Sequence, residues 1–187
     1  MEIIKEFLIL IVSIFGFAIE SEDNTEKLEV ENNDPVEQVE KTNDQVMESV
    51  EAIVKHVIDG DTLVVEYENR ETEVIRLLNI DTPELDKNQK FAKEAKEFTK
   101  NIENELVVVE KGEQDKYGRT LAYVFVDGIL YNKTLAESGY ARVAFRTDPN
   151  TIPEYLKTIE QGEKRAIETK KNIWSIPGYV TDYGFNQ

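Results

Sequence analysis

The sequence predicts an α+β fold: a small closed barrel of five β-strands with three α-helices. Three observations predict it. Short β-rich runs follow one another between turn signals, three stretches show helical spacing, and the composition changes abruptly near residue 52. Up to that point the chain of 187 residues is unsuited to packing; beyond it there is enough apolar sequence for one ordinary core.

The strands come first. IVKHVI ends at Asp59-Gly60, TLVVEY runs into a polar turn, and TEVIRLLNI, ELVVVE and LAYVFV follow, the last closed by Asp127-Gly128. Helical spacing places Phe91, Ala95, Phe98 and Ile102 on one face of a first helix. A short second helix is expected from about Tyr131 to Ser138, ending at Gly139. Tyr155, Ile159, Gly162 and Ala166 share a face of a third, which Pro153 can start. Five short strands with glycine-containing turns and interspersed helices fit a closed barrel of the OB type better than a parallel sheet.

Before this domain lie two other segments. Phe7 to Ile19 is an apolar run broken only by Ser13 and Gly16, with Lys5 before it and Glu20, Glu22 and Asp23 after it. Its length suits the core of a signal peptide, and with Ile3 and Ile4 it approaches a tilted membrane anchor, so residues 1–19 are read as one or the other. Residues 20–51 hold twelve acidic and two basic side chains and no aromatic residue. Such a composition does not offset the entropy of ordering, and the segment is expected to be a disordered spacer. The domain is set at 52–175, with a C-terminal tail at 176–187. The organisation implies secretion or tethering to the cell surface, with membrane contact only through an uncleaved N-terminus. A monomer is expected.

The formal charge is −16, and the acidic segment accounts for −10 of it, leaving −5 on residues 52–187. That balance argues against tight nonspecific binding of duplex DNA, which draws on many neutralised phosphates. The absence of cysteine excludes disulfides, thiolate metal sites and cysteine nucleophiles. His56, the sole histidine, leaves acid–base work to carboxylates and metal binding to hard oxygen ligands.

Three charged clusters stand out: Asp59-Gly60-Asp61-Thr62, Arg76 followed by Asp81-Thr82-Pro83-Glu84, and Asp115-Lys116-Tyr117-Gly118-Arg119. Each alone has a plain reading as a turn or a helix cap. Arg76 is the exception, because Val74, Ile75, Leu77, Leu78 and Ile80 make both faces of its strand apolar, and a cation there must be paired or face a site. Its nearest anions follow in the chain, so Arg76 and Glu84 are expected to face each other across a polar barrel mouth. Asp61 and Asp81 with a backbone carbonyl would make the partial oxygen cage that calcium tolerates. Arg76 and Arg119 offer planar forks to phosphate oxygens, and Glu84 is left as base or water-orienting group.

VIDGDT at 57–62, RLLNIDTPE at 76–84, EAKEFTK at 94–100, DKYGRTLAYV at 115–124 and NIWS at 172–175 resemble, in order and interval, the staphylococcal nuclease (thermonuclease) family, from about Val54 to Ser175. The resemblance implies an OB-fold barrel with three helices and a Ca²⁺-dependent endo/exonuclease that hydrolyses DNA and RNA to 3′-phosphorylated products. It implies that Asp61 and Asp81 bind calcium through carboxylates and Thr82 through its carbonyl oxygen. Arg76 and Arg119 would contact the scissile phosphate, with Glu84 as base or water positioner. Lys116 and Tyr117 would meet a terminal phosphate of the bound nucleotide. Three departures stand beside the likeness. The loop after Glu84 is shorter and less basic than in the staphylococcal enzyme. Phe145 and Thr147 replace two tyrosines, of which Phe145 keeps a ring that can stack on a base. The domain is acidic where that enzyme is basic. The competing function is a non-catalytic OB-type nucleic-acid binding module.

Overall fold

The computed structural model describes residues 47–186. The expected signal or anchor segment at 1–19, and the acidic spacer as far as residue 46, lie outside the described residues. The domain itself begins earlier than expected. Strand β1 (Glu48–Asp59) starts four residues before position 52, because Glu48–Ile53 pair antiparallel with Lys111–Leu106 of β5 (Leu106–Gln114). Glu48, Glu51 and their neighbours read as spacer because the outward positions of this strand are charged, while the signal that matters is cross-strand: Glu48 lies opposite Lys111.

β1 also pairs with β2 (Thr62–Glu66), and β2 with β3 (Thr72–Leu77), all antiparallel. β5 pairs with β6 (Thr120–Val126), and a parallel pairing of Ile75–Leu77 with Thr120–Ala122 joins β3 to β6 and closes the barrel. The resulting circuit β1-β2-β3-β6-β5 is the five-stranded OB arrangement. In β1 the inward positions run Ala52, Val54, then Val57. A register shift between Val54 and His56 inserts one residue, which keeps Val57 inside and leaves His56 exposed. Val54, Val57, Leu63, Val65, Ile75, Val109, Ala122 and Val124 fill the barrel with no exposure to solvent. Each large aliphatic among them contributes roughly 1.5–3 kcal/mol by leaving water.

The run TEVIRLLNI does not remain one strand. Asn79 adopts a left-handed backbone with φ of 58°, which an asparagine tolerates better than a branched residue, and this turns the chain after Leu77. Ile80 and Asp81 (β4, Ile80–Asp81) then leave the barrel sheet and pair with Val143 and Arg142 (β8, Arg142–Val143). The Asn79 side chain donates to Phe145 O at 3.1 Å and Thr151 Oγ1 at 2.8 Å and accepts from the Tyr123 hydroxyl, so the turn is held from three sides. Asn132 secures its neighbour, donating to Leu78 O at 2.9 Å.

The helices lie where the spacing places them: α1 (Ala92–Lys100), α2 (Tyr131–Glu137) and α3 (Pro153–Glu168). A two-residue strand β7 (Ile129–Leu130) returns from β6 and leads into α2. α3 buries Ile159, Gly162 and Ala166, and a Cβ on Gly162 would stand 3.1 Å from Lys133 O, so this glycine lets α3 approach α2 closely. Among the described residues no helix is long and apolar enough to cross a membrane. The segment after Ser175 is not a simple tail. A 3₁₀ turn (Asn172–Ser175) leads to a hairpin of β9 (Val180–Thr181) and β10 (Gly184–Phe185).

Candidate active site

Strand register brings the first two clusters together. Thr62 of β2 lies opposite Arg76 of β3, and Leu77 N donates to Asp61 O at 2.9 Å, so the Asp59–Thr62 turn sits beside the point where β3 ends. Arg76 is buried and nearly saturated. Nη1 donates to Leu77 O at 2.8 Å and Ile80 O at 2.9 Å, and Nη2 lies 3.1 Å from Asp61 Oδ2 and 3.4 Å from Asp81 Oδ1. Arg76 and Glu84 line the same cleft, as expected of two groups facing across a polar mouth, but the anions that pair with Arg76 are Asp61 and Asp81 rather than Glu84. The turn at Leu78–Asn79 folds Asp81 back towards the guanidinium.

Asp61 Oδ2 also accepts from Thr82 N at 2.9 Å and Thr82 Oγ1 at 3.0 Å, and Thr62 Oγ1 donates to Oδ1 at 3.0 Å. Thr82 thus clamps Asp61 from behind and does not itself line the cleft. Gly60 makes this approach possible: a Cβ there would stand 2.8 Å from Thr82 Oγ1 and 2.9 Å from Ala95 Cβ, while Gly60 O accepts from Thr99 Oγ1 at 2.6 Å. Asp81 Oδ2 is held by Arg142, with Nε at 3.0 Å and Nη2 at 2.9 Å.

A cleft of about 640 Å³ opens over this knot, and it gathers Asp59, Asp61, Arg76, Asp81, Glu84, Arg119 and Phe145. Seven acidic and two basic side chains line it. Glu84 feels the crowding most: burial first, then the charges of Asp61 and Asp59, push its carboxyl from 4.5 up to about 7. Asp59 is raised as well, by burial and then by Asp61, against a hydrogen bond from Gly60 N–H. Burial also raises Asp81, against the pull of Arg76 and Arg142. A wider groove of about 1660 Å³ runs along β1, β2 and β3 and touches the three clusters only at Gly118, with none of their charged side chains, so the smaller cleft is the candidate site.

The third cluster is arranged differently. Arg119 is half-buried, with Nε 2.8 Å and Nη2 2.7 Å from Asp115 Oδ2, and its guanidinium lies 5.5 Å from the Tyr117 ring centroid. Lys116 Nζ lies 5.0 Å from the centroid of the same ring. Lys116 and Tyr117 are not part of the cleft lining, and Tyr117 is exposed to solvent. Phe145 is exposed at the cleft edge, with the Arg76 guanidinium 5.9 Å from its ring centroid. Thr147, like Phe145, follows the β8 strand and is exposed.

The donor set suits a hard divalent cation. All the candidate ligands are oxygens, and burial, with the neighbouring carboxylate charges added to it, raises both Glu84 and Asp59, a cost that a bound cation would relieve. Among the described residues no three acidic side chains already surround one point as metal ligands. Of the expected set, Asp61 and Asp81 line the cleft and Thr82 stands behind Asp61. Two residues that the sequence reading passed over belong here. Asp59 reads as half of an Asp-Gly turn, and Arg142 sits in Ala141-Arg142-Val143-Ala144, where the signal that singles out Arg76, a cation in an apolar run, is repeated.

The family profile described as Staphylococcal nuclease homologue matches residues 74–176. The chain belongs to the staphylococcal nuclease family. The thermonuclease of Staphylococcus hyicus is 43% identical over 129 residues, 65% of this chain and 74% of that protein. The SPbeta prophage-derived endonuclease YokF of Bacillus subtilis (strain 168) is 42% identical over 137 residues, 69% of this chain and 45% of that protein. Endonuclease YncB of the same organism is 42% identical over 137 residues, 69% of this chain and 64% of that protein. This member of the family thus spans less than two thirds of the two Bacillus relatives' lengths. The barrel circuit and three helices agree with the OB fold expected of the family.

Proposed function

We propose that this protein is a calcium-dependent nuclease that hydrolyses phosphodiesters of DNA and RNA and leaves 3′-phosphates. The observation that carries the reading is the imbalance of the cleft, seven acidic side chains around two arginines. A phosphodiester is an anion and is repelled by such a surface until a cation neutralises it, after which the two arginines can grip its oxygens. The names of the relatives, thermonuclease and endonuclease, support the same class.

Asp61 and Asp81 would hold the calcium with the Thr82 carbonyl. The ion would neutralise the carboxylate cluster and draw charge from the phosphate. Arg76, with its fork fixed by two carbonyl oxygens, presents a rigid cation at the cleft floor. Arg119 leaves Asp115 to reach the same phosphate from the other wall. Glu84 takes a proton from the attacking water as the water oxygen bonds to phosphorus and the bond to the 5′ oxygen breaks. Phe145 offers its exposed face to a base, and Lys116 and Tyr117, on the outer hairpin turn, suit a phosphate further along the strand. All these groups come from one chain, so the reading needs no partner subunit.

The test is digestion of linear and circular DNA and of single-stranded RNA with millimolar calcium or with EDTA. Product ends are then assayed for 3′-phosphate. Calcium-dependent loss of the substrates is expected. Intact DNA that nevertheless shifts on a gel would overturn catalysis in favour of a binding module. The extracellular placement rests on the sequence of residues 1–51 alone. Mass spectrometry of the N-terminus of protein recovered from medium and from cells tests it, and a chain found only in cytosol, uncleaved, would overturn it.

A further inference from the structure

Residues 177–186 lie beyond the span of the family match, yet they are built into the site rather than trailing from it. Tyr179 is buried, its hydroxyl donates to Lys90 O, and its ring meets Phe91 at 6.2 Å and Phe185 at 5.6 Å. Asn186 closes the hairpin base, donating from its backbone to Tyr179 O at 2.8 Å and from its side chain to Gly178 O at 2.7 Å.

From this base the hairpin reaches two residues that hold acidic arms of the cleft. Asp182 O accepts from Arg142 Nη1 at 3.3 Å, and the Phe185 ring lies 5.9 Å from the Arg142 guanidinium, whose other two nitrogens bind Asp81 Oδ2. Phe185 O accepts from Gln89 Nε2 at 3.4 Å, and the opposite end of the same amide, Oε1, accepts from Glu84 N at 2.8 Å. Neither Arg142 nor Gln89 lines the cleft. The segment they secure, residues 82–91, contains turns but no helix or strand. Its own backbone holds Glu84 only through a 3.3 Å bond from Gln89 N to Glu84 O, so the same Gln89 grips Glu84 from backbone and side chain.

We infer that the C-terminal hairpin is a brace that sets the geometry of the nuclease site, with Arg142 and Gln89 as positioning residues for Asp81 and Glu84. Arg142 occupies Asp81 Oδ2 with two hydrogen bonds, whereas Oδ1 has only the longer 3.4 Å contact with Arg76 Nη2, so Oδ1 is the oxygen more readily offered to a cation. By capping Glu84 N, Gln89 fixes the backbone from which the Glu84 carboxylate projects. The hairpin holds both, and so couples the metal-binding arm to the water-activating arm. The inference rests on the nuclease reading, and it makes a claim about backbone order that is independent of it.

The experiment compares the full chain with a chain ending after Tyr179, which keeps the buried ring and removes Asp182 and Phe185. Full-length Phe185→Ala and Arg142→Gln serve in case the truncated chain does not fold. Loss of groups that orient metal ligands typically costs about 10–100-fold in affinity or activity. A tenfold or larger loss in kcat with a several-fold rise in the calcium dissociation constant, measured by calorimetry, is therefore expected, while KM for DNA stays within about twofold. Truncation combined with Arg142→Gln should cost little more than either change alone, since both break one chain of contacts. Amide exchange of Glu84, followed by NMR, should accelerate in the truncated chain and in Phe185→Ala, with or without calcium. A lowered melting temperature with unchanged kcat, calcium affinity and Glu84 exchange would make the hairpin a packing element only and overturn the brace. If the intact protein neither bound calcium nor cut DNA, the nuclease reading would fall, and the Glu84 exchange would decide the brace by itself.

Discussion

The two arginines of the cleft share a chemical partner, a carboxylate, but little else. Arg76 is anchored in the floor by two backbone carbonyls and two carboxylates, with 9% of its side chain exposed. Arg119 is on the wall, 32% exposed, held by Asp115 alone and flanked by an exposed tyrosine. One cation is part of the architecture that closes the barrel mouth, while the other is free to exchange its partner for a ligand at small cost. Two residues assigned similar roles on phosphate should therefore differ in what their loss does to the protein.

The largest effect expected is that of Arg76→Gln. It leaves the buried Asp61 without a cation, Asp81 keeping Arg142, and breaking a buried pair in this way costs about 3–5 kcal/mol, measured by urea denaturation in EDTA. Arg119→Gln should cost no more than about 1 kcal/mol, the scale of a partly exposed pair. Both should lower kcat by about 10²–10³-fold, as for other lost donors to transition-state charge. Equal stability losses for the two variants would erase the distinction between floor and wall.

Glu84→Gln sharpens the picture from the acidic side. It removes the base, so kcat should fall by about 10²–10⁴-fold. It also relieves the charge crowding, so the calcium-free protein should melt no lower than the unmodified one. Asp61→Asn and Asp81→Asn should behave otherwise, regaining part of their lost rate as calcium is raised. If millimolar calcium rescued Glu84→Gln equally well, Glu84 would have to be counted as a metal ligand.

Gly60→Ala tests the floor by packing alone. Its Cβ would collide with Thr82 and Ala95, and overpacking of this kind costs about 1–3 kcal/mol, visible in the melting temperature. The smallest effect is on pH. The Glu84 carboxyl titrates near 4.5 when unfolded and about 7 when folded, so the folded state holds the proton more tightly. Its contribution is present below pH 4.5 and is lost as pH rises through 7. In EDTA, the melting temperature of the unmodified chain should drop across that window by more than that of Glu84→Gln, and calcium should remove the difference. Parallel curves in EDTA would refute the crowding.

Much of this was legible in the sequence where one local pattern sufficed. Short β-rich runs between turn signals marked the barrel strands, helical spacing marked all three helices, and Arg76 betrayed itself as a charge in an apolar strand. What escaped depends on contacts between distant segments. The start of β1 is set by its partner β5 and not by its own charged residues. The Arg76–Asp81 pairing depends on the backward turn at Asn79, whose left-handed backbone is secured by Phe145 and Thr151, 66 and 72 positions along the chain. The C-terminal hairpin has two strands of two residues each, too short for any periodicity to announce.

The acid-rich cleft has a further consequence when the protein is viewed as a circuit element rather than a catalyst. On the nuclease reading, substrate alone produces no output, because the empty carboxylates repel it. Calcium alone produces none, because there is nothing to cut. On that reading the site would act as a coincidence detector, with a threshold set by how weakly two carboxylates and a carbonyl would hold the ion, about 10⁻⁴–10⁻³ M for sites of this kind. A chain built this way would respond to nucleic acid only where the ion is plentiful.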